Sequence, residues 1–182
     1  KGKFENLTIS KAVQNILDTI DYLKNLGYKK IGLLGCSFGG ISSIMAVSKT
    51  NNLLSLTLIA PVSNYKEKKL EQLSKQKLED WKNKGFMIYK NSLGKFKLKY
   101  SYFEDFDNNN GYIAAERINI PTLIIHGDQD KQVPIKQSIK TASIIKDCKL
   151  EIIKRTGHDF QPEEKFNQMI KLATDFIIKQ CN

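Results

Sequence analysis

Four short apolar runs, spaced by amphipathic stretches, restrict what this chain can fold into more than any other feature. They are Lys30-Ile31-Gly32-Leu33-Leu34-Gly35, Leu53 to Ala60, Thr122-Leu123-Ile124-Ile125-His126 and Leu150-Glu151-Ile152-Ile153-Lys154. Between them the apolar period changes from strand-like to helical. Ile9, Val13, Ile16, Leu17, Ile20 and Leu23 predict a helix over 9–26 that Gly27 ends. Further helices are predicted over 38–49, 135–147 and 162–180, the last with Phe166, Met169, Ile170, Ala173, Phe176 and Ile177 on one face. Runs that are apolar on both faces and alternate with helices call for a parallel sheet covered on both sides, an α/β fold.

The middle of the chain departs from this pattern. A charged helix is predicted over 63–84, carrying Leu70, Leu73, Leu78 and Trp81. Phe86 to Tyr89 and Phe96 to Phe103 then alternate as strands do, with Asn91-Ser92-Leu93-Gly94 as the turn between them. Phe96, Leu98, Tyr100 and Tyr102 would line one face, and Asp105 to Gly111 reads as a polar loop. The expected organisation is a core of residues 1–62 and 115–182, with an α+β insertion over 63–114.

Composition narrows the class. With 41% hydrophobic residues in 182, the chain can bury the core of one domain, which excludes a disordered tail. No apolar run approaches the roughly 18 residues of a membrane-spanning helix. The opening Lys1-Gly2-Lys3-Phe4-Glu5-Asn6 is polar, unlike a secretory signal. Cys36, Cys148 and Cys181 are odd in number and lack paired spacing, which excludes a disulfide framework and a zinc ribbon. A reducing, cytoplasmic setting is the expectation. The net charge of +10 is concentrated in residues 66–99, which hold eleven lysines and four acids. These lysines alternate with apolar residues as a solvated face does, and the chain has only Arg117 and Arg155 for bidentate phosphate or base contacts. The expected role of this segment is a Lys-rich surface, with no nucleic-acid partner.

The chemistry gathers in three turns. Gly35-Cys36-Ser37-Phe38-Gly39 matches G-x-S-x-G between a predicted strand and a predicted helix. That motif needs its serine on a tight turn, with its hydroxyl above the sheet and glycines where side chains would collide with backbone. A nucleophilic serine needs a base, and the chain has two histidines. His126 opens His126-Gly127-Asp128-Gln129-Asp130, and His158 stands in Gly157-His158-Asp159-Phe160, each just past a predicted strand. Catalytic groups of open parallel sheets gather beyond the carboxyl ends of the strands. Ser37, Asp130 and His158 all fall there, in the order serine, acid, histidine; Asp128 competes with Asp130 for the acid role. Asp159 reads as a loop or cap acid, and Cys36 as buried packing. Two histidines and scattered aspartates lack metal-ligand spacing, so neither metal nor cofactor is expected.

On these residues the chain resembles the C-terminal two-thirds of an α/β-hydrolase. It is most similar to the serine esterase branch that neighbours cinnamoyl esterases, monoacylglycerol-lipase-like enzymes and prolyl-oligopeptidase-type catalytic domains. The resemblance is carried by Gly35-Cys36-Ser37-Phe38-Gly39-Gly40, by His126-Gly127-Asp128-Gln129-Asp130 with Val133-Pro134, and by Gly157-His158-Asp159-Phe160. It implies a Ser37–His158–Asp130 triad hydrolysing a small-molecule carboxylic ester through an acyl-enzyme, and it makes His126 structural. It further implies an oxyanion donor at the Phe38 backbone N–H, with the second donor on a loop ahead of Lys1. The chain would then be N-terminally incomplete. A piece lacking that loop would be a weak catalyst, with an unpaired edge at its nucleophile strand. The insertion corresponds to a lid, whose Trp81, Phe86, Tyr89, Tyr100 and Phe103 either contact substrate or pack the lid onto the sheet. A peptidase, an acyltransferase and a non-catalytic binding protein on the same fold are the alternatives. Oligomeric state and substrate identity stay open.

Overall fold

The apolar runs form strands, and the helical stretches pack over them, in a computed structural model that describes residues 2–67, 73–91 and 94–181. The strands are β1 (Gly32–Cys36), β2 (Ser55–Ile59), β3 (Phe86–Asn91), β4 (Gly94–Lys99), β5 (Thr122–Gly127) and β6 (Cys148–Ile153). The helices of the described residues are α1 (Ile9–Asn25), α2 (Phe38–Val47), α3 (Lys75–Lys84), α4 (Ser101–Glu104), α5 (Gly111–Ala115), α6 (Ile135–Ile144) and α7 (Glu163–Cys181). β1, β2, β5 and β6 make one parallel sheet in the order β1-β2-β5-β6.

Burial follows position in the sheet. Every residue of the two central strands is buried. The outer strands are mixed, with Leu34 of β1 47% exposed, because each is paired on one side only among the described residues. Alternation along β5 sorts the core into two layers. Ile124 faces the larger cluster, built with Ile9, Val13, Ile41, Ile44, Leu56 and Leu58 from α1, α2 and β2. Leu123 and Ile125 face the opposite layer, closed by Met169 and Ala173 of α7 with Phe160. Among the described residues no helix is long and apolar enough to cross a membrane.

The inserted segment differs from expectation in three places. The charged helix predicted over 63–84 has residues 65–67 helical and then α3, which Ser74 caps by accepting the Lys77 N–H and Gly85 ends at φ 73°. Leu70, and the turn residues Ser92 and Leu93, lie outside the described residues. β4 pairs antiparallel with β3 but stops at Lys99. The expected strand to Phe103 is instead a helical turn, because its rings meet at helical spacing. Tyr100 and Phe103 stack with centroids 5.6 Å apart, and Tyr102 meets Phe106 at 4.9 Å. The polar stretch 105–111 is a 3₁₀ turn over Asp105–Asn108 leading into α5. Its polarity ties the insertion to α1: the Asp105 carboxylate accepts from the Ser10 N–H at 2.8 Å, from the Ser10 hydroxyl and from Asn109 Nδ2 at 3.1 Å.

Both roots of the insertion converge on α6. The side-chain carbonyl of buried Gln137 accepts the N–H groups of Ser63 at 2.9 Å and Asn64 at 3.2 Å, and its amide donates to Asn64 O at 3.1 Å. Ser63 Oγ lies 2.6 Å from Thr141 Oγ1, and Ser63 O accepts the Gly111 N–H at 2.9 Å. The chain leaves and re-enters the core at one hydrogen-bonded point.

Candidate active site

Ser37 occupies the turn between β1 and α2 with φ 52° and ψ −112°, a conformation that side chains disfavour. Its backbone is stapled to the next strand: Ser37 N donates to Ile59 O at 3.0 Å, and Ser37 O accepts from Val62 N at 3.0 Å. The turn needs two close approaches. A Cβ on Gly35 would stand 2.4 Å from Gly39 O and from Ser43 Oγ, and one on Gly40 would stand 2.5 Å from Pro61 Cβ. Gly39 differs from the sequence expectation, since a Cβ there meets nothing within 4 Å. The motif's second glycine is therefore not a steric necessity, and Gly40 carries that constraint instead. Phe38 opens α2, so its N–H has no partner inside the helix.

Asp130 and His158 come from the turns after β5 and β6, which neighbour each other with Gly127 opposite Ile153. His158 Nδ1 lies 2.6 Å from Asp130 Oδ2. Asp130 Oδ1 accepts the N–H groups of Gln132 at 2.7 Å and Val133 at 2.8 Å. The Asp130 side chain is 0% exposed and that of His158 11%. Burial alone would push the Asp130 carboxyl up. Hydrogen bonds from His126, His158 and the Val133 N–H, with the charge at His158, outweigh burial and hold it well below the usual carboxylate range. His126 is buried beside this pair, with Nε2 3.2 Å from Asp130 Oδ2.

The rival acid is occupied elsewhere. Asp128 Oδ1 accepts the Arg155 N–H at 2.7 Å and has Lys154 as a neighbour, a loop-bracing role. Asp159 is an exposed turn acid. Cys36 corrects an expectation, for the residue is exposed rather than buried packing. Crowding around its sulfur, then the negative charges of Asp159 and Asp130, push the thiol up. Because β1, β2, β5 and β6 run parallel, the turns after β1, β5 and β6 leave the same rim of the sheet. Ser37 Oγ makes no hydrogen bond to His158 here. Such links are often open in resting enzymes and tighten with substrate. Among the described residues no group of three His, Cys, Asp or Glu side chains is arranged to hold a metal.

The insertion meets this rim through Phe38. Tyr65 and Tyr102 approach its ring at 6.0 and 6.2 Å, and Phe106 stacks on Tyr65 at 5.3 Å. Burial is the main force holding the Tyr65 hydroxyl up at about 12 and the Tyr102 hydroxyl well above its ordinary value. The five rings expected from the sequence lie further out. Trp81 is 2% exposed, donates its indole N–H to Leu98 O at 3.1 Å, and meets Tyr100 and Phe103 edge-on. Phe86 is partly exposed beneath Lys97, and Tyr89 stacks on Phe4 at 6.2 Å. A groove of about 410 Å³ runs between α3 and β3, walled by Trp81, Phe86, Met87 and Ile88 among others, with none of Ser37, Asp130 or His158 in its lining.

A family model described as the prolyl oligopeptidase family matches residues 4–182. The chain belongs to the prolyl oligopeptidase family. Among curated members of the wider group, the human serine hydrolase BPHL is 25% identical over 174 residues, covering 88% of this chain and 59% of that protein. Human mitochondrial palmitoyl-protein thioesterase ABHD10 is 22% identical over 186 residues, covering 100% of this chain and 60% of that protein. This family member thus spans about three-fifths of the length of the curated relatives it matches. Mouse alpha/beta hydrolase domain-containing protein 10 superposes with a TM-score of 0.80 at 20% identity, covering 98% of this chain and 73% of that one. Est1E from Butyrivibrio proteoclasticus with ferulic acid bound gives a TM-score of 0.72 at 25% identity, covering 98% and 72%. The fold is that of the α/β-hydrolases.

Proposed function

We propose that this chain carries the catalytic residues of a serine esterase. Ser37 Oγ attacks the carbonyl carbon of a carboxylic ester while His158 Nε2 takes its proton. Asp130 holds the His158 Nδ1–H and stabilises the imidazolium that forms. The alcohol leaves with the proton from His158, and water activated by His158 then releases the acid from the acyl-enzyme and restores Ser37. The Phe38 N–H donates to the developing oxyanion. The observation that carries this reading is the 2.6 Å hydrogen bond between His158 and a sealed, ionised Asp130, on the rim that also bears the strained Ser37 turn.

Residues 63–114 act as the lid over a core of 1–62 and 115–182. Tyr65 and Tyr102, against Phe38, form its floor; exposed Phe86 and Tyr89 supply the outer aromatic wall that meets substrate, while buried Trp81 with Tyr100 and Phe103 packs the lid together. Two relatives support an acyl-ester substrate: one is named a palmitoyl-protein thioesterase, and another is a structure with ferulic acid bound. Three free cysteines support a reducing, cytoplasmic location. The matching family's name favours one second reading, a peptidase on the same triad. A panel of p-nitrophenyl esters of graded acyl length, run beside aminoacyl anilides, separates the two. Ester turnover that disappears in Ser37→Ala and His158→Ala supports the esterase, and turnover of anilides alone supports the peptidase.

A further inference from the structure

His126 contributes nothing to proton transfer in this scheme, yet it shares an oxygen with His158. We propose that His126 is a positioning residue that locks the Asp130 carboxylate in the orientation His158 requires; this rests on the catalytic reading above.

The argument begins with the ring's own hydrogen bonds. His126 is 0% exposed, so each ring nitrogen must find its partner inside the protein. Nε2 lies 3.1 Å from Val133 O and 3.2 Å from Asp130 Oδ2. A carbonyl and a carboxylate oxygen can only accept, so Nε2 carries the proton. In the neutral ring Nδ1 is then an acceptor, and the Ser138 hydroxyl, 2.6 Å away and buried, donates to it. Ser138 on α6 thus sets the tautomer, and the tautomer puts the ring's proton on the nitrogen that stands beside Asp130.

Asp130 in turn accepts three hydrogen bonds and has a fourth polar neighbour. Gln132 N and Val133 N fix Oδ1 and His158 bonds Oδ2, while His126 Nε2, already bonded to Val133 O, stands 3.2 Å from the same Oδ2. Three of these four groups belong to backbone or to a buried ring. Only His158 stands on a partly open loop and must move charge. A carboxylate whose shared oxygen already holds the fixed His126 N–H cannot rotate with His158, and it is a weaker base toward the His158 proton. Both properties keep that proton on the imidazole when Ser37 attacks. A histidine that merely filled space would be satisfied by Val133 O and Ser138 alone; the third contact, to the oxygen His158 uses, is what packing does not require.

The test exploits a chain with two histidines. Nitrogen-15-labelled histidine in the wild-type chain should show His126 as the Nε2–H tautomer. A proton NMR spectrum should show a far-downfield His158 Nδ1–H from the 2.6 Å bond. His126→Phe should move or lose that downfield signal and lower kcat by about 10–100-fold with KM nearly unchanged, the rate equivalent of one lost hydrogen bond to a charged group. His126→Gln, whose Nε2 is the same number of bonds from Cβ, should restore both. Thermal melts separate folding loss from this effect, and if His126→Phe does not fold, the Gln variant and the wild-type tautomer still decide. An Nδ1–H tautomer at His126 overturns the assignment. So does a His126→Phe variant that keeps kcat and the downfield signal while wild-type Ser37 still reacts with a fluorophosphonate. Failure of wild-type Ser37 to react overturns the catalytic reading, and the role with it.

Discussion

At Ser37 the backbone is held where few side chains go, and its neighbours make that tolerable. Gly40 leaves Pro61 room to pack, and Pro61 begins the loop whose Val62 N–H holds Ser37 O. Gly40→Ala should therefore destabilise the chain by about 1–3 kcal/mol through overpacking, whereas Gly39→Ala should leave urea midpoints almost unchanged. Asp130 makes a prediction of opposite character. Its carboxyl titrates lower folded than unfolded, so its contribution to stability is present above the ordinary aspartate value of about 4 and is lost as pH falls below it. Denaturant midpoints of the wild type should fall between pH 5 and pH 3 by more than those of Asp130→Asn, as the first part of a loss that continues at lower pH. Equal falls would show that Asp130 is not held ionised by its neighbours.

Among the elements, the strands could be read from the sequence because a central parallel strand buries both faces, and β2 and β5 do so at every position. β2 also carries a local cost. Ser55 and Thr57 bury hydroxyls with no hydrogen-bond partner among the described residues. Thr57→Val keeps the shape and removes the unpaired group, so it should stabilise by about 1 kcal/mol in chemical denaturation. The turns that carry Ser37, Asp130 and His158 are placed for a related reason: each follows a strand, and the parallel sheet brings such turns to one edge. The insertion was less readable. Phe96 to Phe103 alternates like a strand, but from Tyr100 onward its rings stack like those of a helix, and the choice is made by ring contacts with Trp81 and Phe106 that no local pattern encodes. Tyr65 and Tyr102 were passed over because they stand in charged or alternating stretches and meet Phe38 only in three dimensions. Gln137 carried no signal at all, since a buried glutamine on an amphipathic helix looks like any surface residue until the N–H groups it holds are known.

For the molecule as a whole, the sheet joins turns far apart in sequence, while the insertion is pinned to α6 at its first end, bonds its second end to Ser63, and lays its rings on Phe38. Its lysines line the exposed face of α3 and the hairpin, as expected of a solvated surface. The arrangement concentrates one strained serine, one imidazole and one sealed carboxylate at a single rim. The most direct test of that claim is covalent. The chain is treated with a fluorophosphonate and the adduct mapped by peptide mass spectrometry. The account predicts one modified residue, Ser37, with labelling abolished in Ser37→Ala and slowed by orders of magnitude in His158→Ala. An adduct at another serine that survives Ser37→Ala, or no adduct on a folded chain, would contradict it.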